Sequence, residues 1–251
     1  MKTFKNGAML LSATAGVLLA LTGCSAAAEP PAGASNAGSV AAPVEAEIVV
    51  PDATEVFPKT SAAIEKATSA SVVGDLTSGS QKANLELSGT LDGSNARSKV
   101  TFDDTTIEIL TVGNVAYMKP DKAFLTKNAG AEAAKMLDTV AAGKWISTKN
   151  ASQFGEFKIG SLLGSMGTDE LGSSEAAKIT DKALTDLNGA KAFKYTGEEN
   201  TFWIAAEGEP HLLQIEGNST GGGGIMTFSE WNAVKPFEAP AKSDVVSVPG
   251  L

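Results

Sequence analysis

Read as a succession of apolar and polar positions, the chain changes texture several times. From Ser61 to Ala70 it is dominated by Ala, Ile, Glu and Lys, and Pro58 just before it suits a first helical turn. The spacing predicts a helix with Ile64 and Ala67 turned inward. Beyond it the period shortens. Leu85, Leu87 and Leu91 recur at roughly alternate positions, as do Val100 with Phe102 and Ile107 with Ile109. Ser71–Thr77, Lys82–Leu91, Arg97–Phe102, Thr105–Val112 and Val115–Lys119 therefore read as strands. Ser78-Gly79-Ser80, Asp92-Gly93-Ser94-Asn95, Asp103-Asp104 and Gly113-Asn114 punctuate them with turn chemistry. Short alternating strands with short breaks predict an antiparallel meander, apolar on one face only.

The middle third returns to a helical period. Ala133, Met136, Leu137, Val140 and Ala141 form one stripe, with Gly143 as a stop. Lys144–Asn150 is a short extended piece, and a second helix is expected from about Ser152, a cap residue, to Met166, with Phe154, Phe157, Leu162 and Leu163 as its apolar positions. The last third alternates again. Ala177–Leu187, Ala190–Thr196, the two runs flanking Glu207-Gly208-Glu209-Pro210, and Ile225–Trp231 read as strands, with Gly221–Gly224 as a turn. The Pro-punctuated tail from Pro236 is expected to cover an edge. Helix, strands, helices, strands is the order of an α+β fold: one curved antiparallel sheet with helices packed on one side.

The N-terminus has a different character. Lys2 and Lys5 precede an uncharged apolar run from Ala8 to Leu21, shorter than the about 20 residues that cross a bilayer. A basic start with a short apolar run reads as a secretory signal. Leu21-Thr22-Gly23-Cys24 then resembles the bacterial lipobox, which implies a diacylglyceryl group on the Cys24 thiol and cleavage between Gly23 and Cys24. Ser25 to about Glu47 is Ala, Pro, Gly and Ser, too poor in apolar side chains to offset its ordering entropy, so it reads as a tether. The expected organisation is thus a signal over 1–23, a lipidated tether over 24–50 and one domain over 51–251. The expected location is the extracytoplasmic face of the cell membrane, held there by the acylated Cys24.

Charge and residue inventory narrow the function. Removing Met1–Gly23 takes away two lysines and no acid, leaving 18 basic against 29 acidic residues and a net charge of −11. Such a surface repels nucleic acid. Cys24 is the sole cysteine and His211 the sole histidine, so a zinc site of His and Cys is excluded by count and no disulfide forms within the chain. A Ser-His-Asp triad would have to use His211, which sits beside Pro210 at a predicted hairpin tip and reads as an exposed turn residue. The glycines of 221–224 lack the Lys-Ser/Thr of a phosphate loop. Asp103-Asp104 and Glu198-Glu199 fall in turns, where solvated acids are usual. No cofactor, metal or catalytic residue is expected, and an enzyme is disfavoured. Small helix residues (Ala133, Ala134, Ala141, Ala142, Gly160, Gly164) facing apolar strands leave two readings open, close packing or a dry cavity for an apolar ligand.

The layout resembles a known family. After the lipobox and Ala-rich tether come "SASVVGDL" (Ser69–Leu76), "IEILTVGNVAYMKP" (Ile107–Pro120), "KWISTK" (Lys144–Lys149), "AKITDKALTDLNGAKAFKYTGE" (Ala177–Glu198), "FWIAAEGEPHLLQIEG" (Phe202–Gly217) and "FSEWNAVKPFEAPA" (Phe228–Ala241). Together they resemble the mycobacterial and actinobacterial LppX/LprG-type envelope lipoproteins over roughly Pro58 to Ala241. The resemblance implies a half-barrel sheet with helices over its mouth and an apolar pocket for an acylated lipid or glycolipid. It also implies a role in lipid transport across the envelope, in some relatives beside a membrane transporter. The alternating apolar residues Leu85, Leu87, Val100, Phe102, Ile107, Ile109, Phe202, Ile204, Leu213 and Ile215 are the candidate pocket lining. The alternative is a ligand-free scaffold that recruits an envelope protein. In a bacterial host fed radiolabelled palmitate, the protein is expected to take up label and its Cys24→Ser variant to take up none.

Overall fold

The computed structural model describes residues 48–149, 158–169, 171–219 and 222–247. Cys24 and the rest of the predicted signal and tether, and Ser152, Phe154 and Phe157 of the predicted second middle helix, lie outside the described residues. The elements in chain order are α1 (Ala53–Lys66), β1 (Ser69–Ser78), β2 (Gln81–Thr90), β3 (Asn95–Phe102), β4 (Thr105–Val112), β5 (Val115–Pro120), α2 (Lys122–Ala129), α3 (Ala131–Ala141), β6 (Trp145–Thr148), α4 (Ile159–Asp169), α5 (Ser173–Ala176), β7 (Ile179–Leu187), β8 (Ala190–Gly197), β9 (Asn200–Ala205), β10 (Leu212–Ser219), β11 (Gly222–Ser229) and β12 (Val245–Ser247).

The twelve described strands join one open, curved sheet in the order β12-β6-β5-β4-β3-β2-β1-β11-β10-β9-β8-β7, with the helices on its concave side. Two antiparallel meanders, β1–β6 and β7–β11, are joined by antiparallel pairing of β1 with β11. The single parallel pair among the described strands is β12 on β6, where the C-terminal tail closes that edge of the sheet. The tail reaches it across the outside: Asn95 donates from Nδ2 to the Phe237 carbonyl at 2.8 Å and accepts from the Phe237 amide at 2.7 Å.

Strand alternation makes the concave face a set of rungs. One rung runs Phe202–Ile215–Met226–Gly74–Leu85–Val100–Ile107, and the next Phe228–Val72–Leu87–Ser98–Ile109–Met118. Onto these α1 lays Ala53, Val56, Phe57, Thr60, Ala63 and Ile64, a stripe at helical spacing. Phe57 is fully buried and meets Tyr195 and Phe202 edge to face at 5.4 and 5.1 Å between ring centroids. Ile159, Leu163 and Met166 of α4 complete the core. The convex face carries polar pairs instead, among them Arg97–Glu108 at 2.8 Å and Lys99–Glu86 at 3.3 Å.

Several local expectations are corrected. The first helix begins at Ala53, so Pro58 stands in its second turn, on the exposed side. Ala53, Val56 and Phe57 need helical spacing to reach the core, and their burial outweighs one lost backbone bond. Gly222–Gly224 are not a turn but strand, paired with both β1 and β10. A Cβ on Gly222 would stand 2.5 Å from the Thr77 carbonyl, and Gly224 has φ 149°. Close backbone approach, rather than chain reversal, is what requires glycine here. The sequence reading also passed over α2, which Asp121 caps by accepting the Phe124 amide at 2.6 Å. In α3 the helix is where the spacing put it, but its face is turned. Ala134 and Ala141 are buried, whereas Met136 and Val140 of the expected inward stripe are 66% and 53% exposed.

Phe57→Ala leaves a cavity beside the Tyr195 and Phe202 rings and is expected to cost about 3–5 kcal/mol, read as a lowered denaturant midpoint with an unchanged slope.

Candidate functional site

The third rung of the concave face differs from the two beneath α1 and α4. It runs Asn200–Gly217–Gly224–Leu76–Ala83–Phe102–Thr105 across β9, β10, β11, β1, β2, β3 and β4. Two glycines and an alanine stand where its neighbouring rung has Ile215, Met226 and Leu85. Small side chains at the floor, with the helices ending overhead, leave a cleft of about 880 Å³. That lies within the range of small-molecule sites, about 300–1,000 Å³.

All seven residues of the rung line it, and Ile215 and Met226 close its inner end. Phe124, Lys127 and Asn128 of α2 form one wall, and Met166 of α4 forms part of the roof. The depth is apolar. The rim is polar and mixed in charge, with Gln81, Lys82, Asp103 and Lys127. Asp103 is held by the Lys82 amide, which donates to its Oδ1 at 3.0 Å. At the other side the buried Glu175 carboxylate accepts from Asn200 Nδ2 at 3.2 Å and pairs with Lys178 at 2.9 Å. That fixes one wall residue from behind.

Of the ten residues expected to line a pocket, the structure brings Phe102 and Ile215 to this cleft. Leu87, Val100, Ile107, Ile109, Phe202 and Ile204 are buried in the packed core, and Leu85 packs against it half-buried. Leu213 leaves the set for a local reason. A bulge between Leu212 and Gln214 breaks the alternation of β10, so Leu212 and Ile215 take the core face. The small residues of the helices also divide between the two readings. Gly160 has no room for a Cβ against the Leu91 carbonyl, so its size serves close packing of α4 on the β2–β3 turn. Gly164 faces open space. Among the lining residues that sequence reasoning missed are Leu76, Ala83, Gly217, Gly224 and Phe124. Only the strand register, which sets Gly217, Gly224, Leu76 and Ala83 side by side, marks four of them.

His211 is not the exposed turn residue expected. Its ring stacks on Trp231 at 4.9 Å and 7°, and its Nε2 lies 3.1 Å from a Glu209 carboxylate oxygen. Trp231 is itself fixed by its Nε1, which donates to the Leu212 carbonyl at 2.9 Å. Burial holds the imidazole below its ordinary 6.5, against the opposing pull of Glu209. No three or more His, Cys, Asp or Glu side chains group as a metal site among the described residues. No described helix is long and apolar enough to cross a membrane.

The sequence matches no protein-family profile and no curated protein. Among solved structures the chain is similar to LprF from Mycobacterium bovis, at 13% identity over 75% of this chain and 97% of that one, with a TM-score of 0.45. It is similar to the Mycobacterium tuberculosis lipoprotein LppX at 15% identity, over 74% of this chain and 97% of that one, with a TM-score of 0.43. It is also similar to a chain of the Pseudomonas aeruginosa MucA/MucB complex, at 12% identity over 77% of this chain and 60% of that one, with a TM-score of 0.30.

Because the folded state favours neutral His211, unfolding takes up a proton below the ordinary imidazole pKa. The protein is therefore expected to lose stability as pH falls below about 6.5. His211→Phe keeps the stack on Trp231 and is expected to lack that component, so denaturation curves of the two proteins should diverge progressively on acidification.

Proposed function

We propose that this chain is an envelope lipoprotein, anchored through Cys24, whose domain holds the hydrophobic part of a lipid in the cleft under α2 and α4. The observation that carries the reading is the low floor of the third rung, where Gly217, Gly224 and Ala83 leave a built hollow at the end of an otherwise filled concave face. The charged groups of the lining stand at its rim around an apolar depth, which supports passive carriage. Each Å² of acyl surface taken from water contributes about 25 cal/mol. The polar rim leaves a headgroup in solvent, and release follows from movement of α2 against the sheet.

Lipid transport and recruitment of a membrane transporter are further parts of this reading, drawn from the family resemblance in the sequence. A ligand-free scaffold would call for a filled core, and the size of the cleft favours the carrier.

Ala83→Trp places an indole on the floor of the hollow without touching the inner rungs. Binding of a fluorescent fatty acid is expected to weaken at least about tenfold, which is about 1.4 kcal/mol, with little change in melting temperature. Native mass spectrometry of the wild-type protein should find co-purifying lipid that the variant lacks. Wild-type protein that carries no lipid and binds no acyl probe would overturn the reading.

A further inference from the structure

The exposed face of α3 has no role in the cleft. Met136 and Val140 stand one helical turn apart and are 66% and 53% exposed, on a helix whose Ala134 and Ala141 are buried. An amphipathic helix with its larger apolar side chains outward leaves them for something beyond this chain.

The charge around that face indicates what. From Lys122 to Lys149 the chain has five lysines, Lys122, Lys127, Lys135, Lys144 and Lys149, against two acids, Glu132 and Asp138, for a net of +3. The whole chain is −9, so the remainder is −12. All five lysines are exposed, and no ion pair described among the described residues uses any of them. A strongly acidic protein thus carries a basic segment that brackets, along the chain, the most exposed helix-borne apolar pair among the described residues. Apolar side chains between solvated lysines are the composition of a surface that rests on anionic lipid: the chains enter the headgroup boundary while the ammonium groups meet phosphates. An acidic protein partner would satisfy the lysines, but it offers no particular fit to two exposed, unrecessed apolar side chains.

We infer that the α2–α3 hairpin docks on an anionic bilayer through Met136 and Val140, with the surrounding lysines supplying the attraction. Docking there sets α2, with Phe124 and Lys127 of the cleft wall, beside the lipid surface. If the proposed carrier role holds, a lipid passes between bilayer and cleft at this edge. The docking itself does not require that role.

The test uses the full chain with Cys24→Ser and one new cysteine, Val140→Cys, labelled with an environment-sensitive nitrobenzoxadiazole. Ile225→Cys serves as control, since Ile225 is an exposed apolar residue of β11, paired with Asp75 on the sheet. With vesicles of phosphatidylcholine and phosphatidylglycerol, three parts to one, the label at 140 is expected to shift to the blue and brighten several-fold. It should not do so with phosphatidylcholine alone or at high salt. The label at 225 should not respond. Lys127→Glu/Lys135→Glu/Lys144→Glu should abolish the response with an unchanged thermal melt. Any anchoring by the N-terminal apolar run brings both labels to the vesicle alike, so the comparison between sites still reads the docking face. Equal emission at 140 with both vesicle types, equal responses at 140 and 225, or a response at 140 to acidic envelope protein but not to vesicles would each overturn the inference. Failure of the chain with Ala83 intact to bind the acyl probe, with the response at 140 intact, would sink the carrier role alone.

Discussion

Antiparallel pairing of β1 with β11, from Ser71 opposite Ser229 to Ser78 opposite Gly222, turns two meanders into one sheet. The strands on either side of this seam come close because side chains are withheld there. Gly222 and Gly224 have no room for a Cβ against the β1 backbone. On β1 itself, a Cβ at Gly74 would stand 3.0 Å from Leu85 and 3.2 Å from Met226, which close over the position. The same economy of volume that lets the strands meet leaves the floor of the third rung low. Cleft and seam are therefore one feature seen from two directions: the glycine needed for pairing is the glycine that makes the hollow.

What fills the rest of the concave face is helix, and the cleft begins where the helices stop. Phe57 of α1 wedges between Tyr195 and Phe202, and the Tyr195 hydroxyl donates to the Pro51 carbonyl at 3.0 Å. Burial, with Asp52 and Glu55 nearby, pushes that phenol up to about 12, so it remains a donor across the working range of pH. This half of the sheet is thereby locked to the start of the domain. On the other half α2 and α3 lie over β4 and near β12 with fewer large side chains beneath them: Leu125 is the buried residue of α2, and α3 buries only alanines. The less heavily packed helices are those beside the opening, which is the arrangement expected where a wall has to yield.

Much of this architecture was legible in the sequence. Alternation and turn residues located β1 to β5 within two residues of their ends, because a half-buried antiparallel strand writes its face into every second position. Nine of the ten candidate residues lie on the concave side of the sheet. Which of them face a hollow was not legible, since period-2 patterning distinguishes inside from outside but not filled from empty. Gly222–Gly224 misled for a related reason: a local run of glycine reads the same whether the chain reverses or another backbone passes close by. The Leu213 bulge and the rotated face of α3 are likewise set by partners distant in sequence. By contrast, Asp121 before α2 was a local capping signal available to be read.

The seam also has a cost in time. The meander β1–β6 and the meander β7–β11 can each assemble from neighbours, since every strand pairs with the next in sequence. The joint between them links segments about 150 residues apart. Until β11 arrives, the free side of β1 exposes a row of unpaired amides next to Val72 and Val73, the kind of edge on which nascent chains stick to one another. Of the sheet's pairings this one closes the longest stretch of chain, and contact order makes it the slowest expected to form: the one that brings the glycine-rich strand home.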